Sequence, residues 1–244
     1  MNTYNLTYRP YGNHAVLIEW PSEIDKNILK NVIFFKNKIL KNNSKVIVDI
    51  INTYNSLTVI YITTIKNIYD EILALKLIFE SPISQVEIKN YHWKIPVCYD
   101  LKFGLDLKEI SSKNEIDIEA IISLHSTAIY TVYFIGFLPG FLYLGGMDKK
   151  LNFDRRQNPR LAVEKGSVGI GGSQTGIYPQ NSAGGWNIIG KSPISFFDTS
   201  KNKPCFAKSG DKVKFMPINL DQYQQIETKL KIGEYQLEKQ LLND

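Results

Sequence analysis

The chain has two cysteines and three histidines in 244 residues, and both scarcities exclude chemistry. Cys98 and Cys205 lie far apart in sequence, so a reducing compartment leaves them as buried thiols rather than a bridge. His14, His92 and His125 are equally scattered. No pair has metal-ligand spacing, and no metal site is expected. Long apolar runs are also missing: nothing approaches the roughly 18 residues of a membrane span. The opening MNTYNLTYRPYG has neither the basic nor the apolar region of a secretory leader, which makes the cytoplasm the expected location. The net charge of +5 comes from lysines spread along the chain. With no basic helix and no aromatic-plus-basic module, nucleic acid is not an expected partner. Arginine occurs four times, and three of the four, Arg155, Arg156 and Arg160, share one short segment. Its planar fork of donors suits carboxylate or phosphate.

What the chain does contain is glycine in one place. Twelve of its 16 glycines fall between Tyr130 and Phe197, in IYTVYFIGFLPGFLYLGG, GSVGIGGSQTGIYP and GGWNIIGKSPISFFD. Alternating with β-branched and aromatic residues, they predict short strands bent by tight turns and bulges. A small barrel or sandwich lined by polar side chains from this stretch is expected.

The first part reads as a compact α/β unit. Tyr4–Arg9 and Ala15–Trp20 are strand-like around the turn Pro10–Asn13. Ser22 is placed to cap a helix whose apolar stripe runs Ile24, Ile28, Val32, Phe35, Ile39 and which stops at Asn42–Ser44. Strands at Val46–Ile51 and Leu57–Ile62 precede a second helix with Ile68, Ile72, Leu75 and Phe79 on one face, stopped at Ser81-Pro82. Val86–Ile95 reads as one more strand. This order predicts an α+β fold: a ferredoxin-like α/β domain over residues 1–92, then the glycine-rich barrel or sandwich over residues 93–244. In the second domain Leu105–Glu109 is a helical turn and Ile116–Leu124 a short helix ending at His125. Asp211–Met216 is a closing strand, and Asp221–Leu242 a peripheral helix broken at Gly233.

Each candidate for chemistry has a plainer rival. Gly169–Ser173 invites a phosphate-loop reading, but no GK[ST] follows and no helix opens there, so a β-turn is favoured. His125 fits a general base or donor at a pocket rim, or a helix-terminal cation. The three arginines fit an anion site or a solvated loop. Gln174, Thr175 and Tyr178 fit a pocket lining or turn satisfaction. Trp186 fits a pocket wall or the core, and Lys191 with Asp198 an exposed ion pair.

GFLPGFLYLGG (Gly136–Gly146), RRQNPR (Arg155–Arg160), GSVGIGGSQTGIYP (Gly166–Pro179) and GGWNIIGKSP (Gly184–Pro193) resemble the KipI family, also called allophanate hydrolase subunit 1, which includes the PxpB subunit of bacterial 5-oxoprolinase. YRPYGNHAVLIEW, TYNSLTVIY, IPVCYD and His125 extend the likeness along essentially the whole chain. Leu142, Asp154, Glu164-Lys165 and Lys191-Ser192 depart from the family's usual Pro, Pro, Pro-Ala and Arg-Thr. The resemblance implies a cyclophilin-like β-barrel for the second domain and a smaller α/β domain before it. It also implies an ATP-dependent 5-oxoprolinase made with KipA/PxpC-like and PxpA-like subunits, with ATP and magnesium used by the assembly and none held tightly by this chain. In that setting His125, Arg156 and Arg160 are the expected catalytic residues, and Gln174, Thr175, Tyr178, Trp186 and Lys191 the expected substrate contacts. The family name also implies two alternatives, an inhibitor docking on a sensor histidine kinase and a carboxyltransferase-like subunit.

Overall fold

A computed structural model describes residues 4–43, 45–82 and 89–242. The chain divides into two compact units, Met1–Ile88 and Lys89–Asp244. No helix among the described residues is long and apolar enough to cross a membrane.

The first unit runs β1 (Thr7–Pro10), β2 (Ala15–Glu19), α1 (Lys26–Asn43), β3 (Ile47–Asn52), β4 (Ser56–Tyr61) and α2 (Ile68–Glu80). Its strands form one antiparallel sheet in the order β1-β2-β4-β3. The first hairpin closes through Tyr11 N–H to Ala15 O at 2.8 Å, with Gly12 at φ +66° in the turn. Ile28, Val32, Phe35 and Ile39 are buried together with Val16, Ile18, Leu57, Val59 and Leu75, as the stripes predict. Ile24 is instead exposed, because the helix begins two residues later. Asp25, not Ser22, satisfies the free N–H groups there, accepting from Asn27 at 2.7 Å and Ile28 at 3.1 Å. Asn67 does the same for α2, accepting from Tyr69 N–H at 3.1 Å. The strand expected to follow starts at Tyr91 and belongs to the second unit's sheet. Val86–Ile88 of that expectation lie outside the described residues.

The second unit runs β5 (Tyr91–Cys98), α3 (Leu107–Asn114), α4 (Ile118–Thr127), β6 (Tyr130–Ile135), β7 (Leu142–Gly145), β8 (Arg160–Val163), β9 (Ser167–Gly171), β10 (Gln174–Ile177), β11 (Ser182–Gly184), β12 (Asn187–Lys191), β13 (Lys212–Ile218), α5 (Leu220–Lys231) and β14 (Lys239–Leu241). Seven strands in the order β12-β9-β10-β7-β6-β13-β5 close on themselves where Lys191 pairs with Cys98. Closure leaves no open edge along the ring. β5 and β13 are parallel, and β14 adds to the first half of β5. The helix expected over Asp221–Leu242 ends at Lys231, because Gly233 takes φ +76° and turns the chain back as β14.

Strand alternation fills the barrel. Ile95, Val97, Val132, Leu142, Leu144, Val168, Ile170, Ile177, Ile189, Val213 and Phe215 form one buried cluster, joined by Leu107 and Ile110 of α3 and Ile121 of α4. Asp211 is a buried carboxylate with three donors: Tyr91 N–H and Trp93 Nε1–H at 2.9 Å and Lys208 N–H at 3.0 Å. It ties the start of β13 to β5. Both cysteines are free thiols.

Candidate functional site

On β7, β9 and β10, residues alternate with those that fill the barrel, so Tyr143, Gly169, Gly171, Gly176 and Tyr178 belong to the outer surface. Three of these five are glycines, and at two of them, Gly171 and Gly176, aromatic rings occupy the space a side chain would need. A Cβ on Gly171 would fall 2.5 Å from Trp186 Nε1, and one on Gly176 3.0 Å from Phe141 Cε1. Phe141, Tyr178, Trp186, Val163 and Ile188 form a second buried cluster on this glycine floor. Phe141 meets Tyr178 and Trp186 edge-on, each at 5.4 Å between centroids. Tyr143 stacks on Phe134 at 4.2 Å and meets Trp186 edge-on at 6.2 Å. Beside them Leu138 N–H bonds Gly136 O at 2.8 Å, a three-residue turn that holds Phe137 at φ +65°. That conformation is costly for an aromatic residue, and Phe137 nevertheless stands 63% exposed against Phe141.

The arginine segment borders this surface. Arg155 lies over the Trp186 ring, 5.7 Å from its centroid. Arg156 and Arg160 converge on Asp106, a buried carboxylate immediately before α3. Arg160 grips it bidentately, Nη1 to Oδ2 at 2.9 Å and Nη2 to Oδ1 at 2.7 Å, while Arg156 Nη1 reaches Oδ1 at 2.9 Å. Ile188 N–H donates to Oδ2 at 2.6 Å, and Asp106 N–H donates back to Ile188 O at 2.9 Å. Asp106 thus fastens the arginine segment and α3 to β12. Arg156 also reaches Glu109 at 3.4 Å; the Lys113 hydrogen bond first, and Arg156 after it, hold that carboxyl below the ordinary range. An open polar cleft of about 830 Å³ runs alongside, lined by Lys113, Asn152, Arg155, Arg156, Asn158 and Ser173 among others.

His125 lies elsewhere, enclosed in the barrel core. Its ring stacks on Phe215 at 4.5 Å and 15°. The Thr175 hydroxyl donates to Gly169 O at 3.0 Å, so it accepts from His125 Nε2–H at 2.8 Å. Nδ1 is then bare and accepts the Tyr99 hydroxyl at 2.8 Å. Burial pushes the His125 pKa down to about 3, so the ring is neutral at pH 7.

The structure therefore gathers the expected site residues into separate groups rather than one hollow. Arg156 and Arg160 share Asp106, and Tyr178 and Trp186 share the aromatic layer on the barrel's outer surface. His125 and Thr175 share the core, and the expectation of a rim histidine is corrected: both ring nitrogens are engaged and enclosed. Gln174 is half-buried on β10 opposite Gly171. Lys191 pairs with Glu164, not with Asp198, which pairs with Lys201. Gly169–Ser173 forms the β9–β10 hairpin with Gly172 at φ +64°, as the turn reading holds.

The family described as "Carboxyltransferase domain, subdomain C and D" matches residues 6–207. The 5-oxoprolinase B subunit of Bacillus subtilis (strain 168) is 34% identical over 227 residues, which cover 87% of this chain and 92% of that protein. The chain belongs to the family of 5-oxoprolinase B subunits. The corresponding protein of Haemophilus influenzae is 46% identical over 130 residues, 53% of this chain and 61% of that one. Among solved structures, TTHA0988 superimposes with a TM-score of 0.72 at 28% identity over 84% of this chain. This chain spans 40% of that protein.

The span matched to the family contains every residue of the aromatic layer and of the Asp106 network. Sequence reasoning missed Asp106, Phe141 and Tyr143 as members of this site. The alternation LYLG predicts Tyr143 on the opposite face from Leu142 and Leu144, but Asp106 carries no local signal, since its partners lie about fifty residues on. The glycine floor gives a direct test within this family member. Gly171→Ala must displace the Trp186 indole and is expected to cost about 1–3 kcal/mol. Unfolding followed by tryptophan fluorescence measures it, and an unshifted midpoint would show the floor to be loose.

Proposed function

We propose that the chain is the B component of an ATP-dependent 5-oxoprolinase, a cytoplasmic hetero-oligomer with PxpC/KipA-like and PxpA-like subunits that converts 5-oxoproline to glutamate. The similarity to named 5-oxoprolinase B subunits over most of the chain carries this reading. The glycine-floored aromatic surface beside the arginine segment supports it, since a small ring acid needs a flat apolar wall and a fixed cation. In finer structural terms the barrel is of the cyclophilin-like kind. The first unit is a ferredoxin-like sandwich in which β1 takes the edge that a last strand would fill.

ATP with magnesium would supply phosphoryl transfer to the stable ring amide. The one glycine-rich turn that resembles a phosphate loop runs into β10 instead of a helix, so it does not fit that role. In this reading ATP with magnesium is used by the assembled complex and is not held tightly by this chain. In this chain Asp106, Arg156 and Arg160 hold the site's wall in place, Tyr178 and Trp186 form its buried backing, and Gln174 is a half-buried amide on β10 available to a substrate. His125 and Thr175 set the position of β10 from within, and Lys191 braces β12 through Glu164.

Purified together with both partners, the chain should give glutamate from 5-oxoproline only when ATP is present, and the isolated chain should be inactive or nearly so. An intact complex that forms no glutamate would reject the reading. The exposed Phe137 turn favours one second reading, docking on a sensor histidine kinase. A kinase autophosphorylation assay distinguishes it, because saturating chain would then inhibit.

A further inference from the structure

Of the three clustered arginines, two are already spent. Asp106 offers four acceptor positions, and Arg156, both ends of the Arg160 fork and Ile188 N–H fill them. One Asp106 carboxylate, with Glu109 at 3.4 Å from Arg156, offsets part of their charge, and although Arg156 Nε is buried with no hydrogen-bond partner among the described residues, both planes are held against the wall. Neighbouring lysines are engaged as well, Lys113 with Glu109 and Lys191 with Glu164. Arg155 differs. It is exposed and, among the described residues, makes no hydrogen bond or ion pair. Its one anchor is the Trp186 face, a contact that uses the guanidinium's charge and plane while leaving all five N–H donors free. The anchor is itself rigid: Trp186 is buried on Gly169 and Gly171 and wedged against Phe141 and Tyr143. Two phenols complete the surroundings. Burial raises the Tyr143 and Tyr178 pKa values while the charge of Arg155 pulls the other way, which puts both rings within its electrostatic reach and keeps both O–H groups protonated at pH 7.

We infer that Arg155, rather than Arg156 or Arg160, is the substrate-recognition residue of this surface: it takes the carboxylate of a small ring acid that rests against the half-buried Tyr143, next to the buried Trp186 on which Arg155 is anchored. One free guanidinium matches a single carboxylate. A doubly charged phosphate or a nucleic-acid backbone would need more unpaired cations than this surface has. The inference rests on the 5-oxoprolinase reading for the identity of the acid, but not for its class.

The two can be separated. The full chain, alone and with its partner subunits, is titrated with 5-oxoproline, with 2-pyrrolidinone, which is the same ring lacking the carboxylate, and with a furan or pyrrole carboxylate. The Trp186 indole N–H resonance is the readout. 5-Oxoproline should shift Trp186, and 2-pyrrolidinone should bind at least about tenfold more weakly. Arg155→Gln should weaken 5-oxoproline binding, and raise KM in the complex, by about tenfold to a hundredfold. Arg155→Lys should recover part of this loss, and neither variant should move the melting temperature, because Arg155 braces nothing. Arg156→Gln should lower the melting temperature instead.

If the complex turns over 5-oxoproline and Arg155→Gln leaves KM unchanged, the inference fails and the proposed activity stands. If ring carboxylates shift Trp186 through Arg155 while the complex forms no glutamate, the activity fails and the inference stands. If no carboxylate perturbs Trp186 in chain or complex, the inference is overturned.

Discussion

Replacing Asp106 with alanine is expected to lower the unfolding free energy of the barrel unit by about 3–5 kcal/mol, the usual cost of removing one partner from a buried ion pair. The carboxylate is almost fully enclosed, and three different residues donate to it. Without it, Ile188 N–H is left buried with no acceptor, and two guanidinium groups face each other with only Glu109, 3.4 Å from Arg156, to offset them. Both arginines keep some contact with water, their side chains being 30% and 25% exposed, which favours the lower half of the range. Asp106→Asn keeps the shape and part of the acceptor capacity, so its loss should be smaller. Urea unfolding followed through Trp93 and Trp186 reads the barrel unit, whereas Trp20 reads the first unit and should not respond. A loss below about 1 kcal/mol would mean that the network is worth no more than a surface ion pair. Asp106→Ala should also free Arg156 and Arg160, and the complex would then lose activity in step with stability.

Acid should destabilise the barrel through its core histidine. His125 is an ordinary histidine in the unfolded chain, with a pKa near 6.5, and falls to about 3 in the folded one because burial disfavours its charged form. Between these values the unfolded chain binds a proton that the folded chain does not. Stability from this group is therefore full above pH 6.5 and is lost as pH falls, by about 1.4 kcal/mol per unit, until pH 3 is reached. The full effect is about 4–5 kcal/mol. His92 has the same direction of shift, from burial and then from Lys214, Lys94 and Lys212, and adds to the slope. A variant therefore isolates the core histidine: His125→Gln should flatten the fall between pH 6.5 and 4.5 by about 1.4 kcal/mol per unit relative to the parent. An unchanged slope would mean that water reaches the ring. The same substitution leaves Thr175 and Tyr99 with an amide partner, so the slope, not the absolute stability, is the informative quantity.

Much of the fold is legible because local rules and tertiary packing agree. The stripe Ile28, Val32, Phe35, Ile39 spells α1, and the alternations in YTVYFI, SVGIG and QTGI spell strands of the barrel wall. The tail is misread because Lys239–Leu241 has no strand signature of its own; β5 supplies the partner that makes it one. The glycines signal bends, yet most of those in β9 and β10 serve a different end, making room for Trp186 and Phe141, and only three dimensions reveal that. His125 is misplaced for a related reason. Periodicity puts it at a helix end, where histidine usually meets water, and nothing local announces that Thr175, Tyr99 and Phe215 enclose it. The arginine cluster is legible as a cluster but not in its division of labour. Which fork is neutralised depends on Asp106, whose sequence context LDLKE looks like an ordinary helix start.

We infer that ligand meets this family member on the outer glycine-floored surface of the barrel, at Arg155 and Tyr143 beside the buried Trp186. A crystal structure of the chain with its partner subunits and 5-oxoproline tests it most directly. The expected result is the ring of the ligand against Tyr143 with its carboxylate on the Arg155 guanidinium, next to Trp186. A ligand seated inside the barrel beside His125 and Thr175, or bound wholly on a partner with Trp186 untouched, would contradict it.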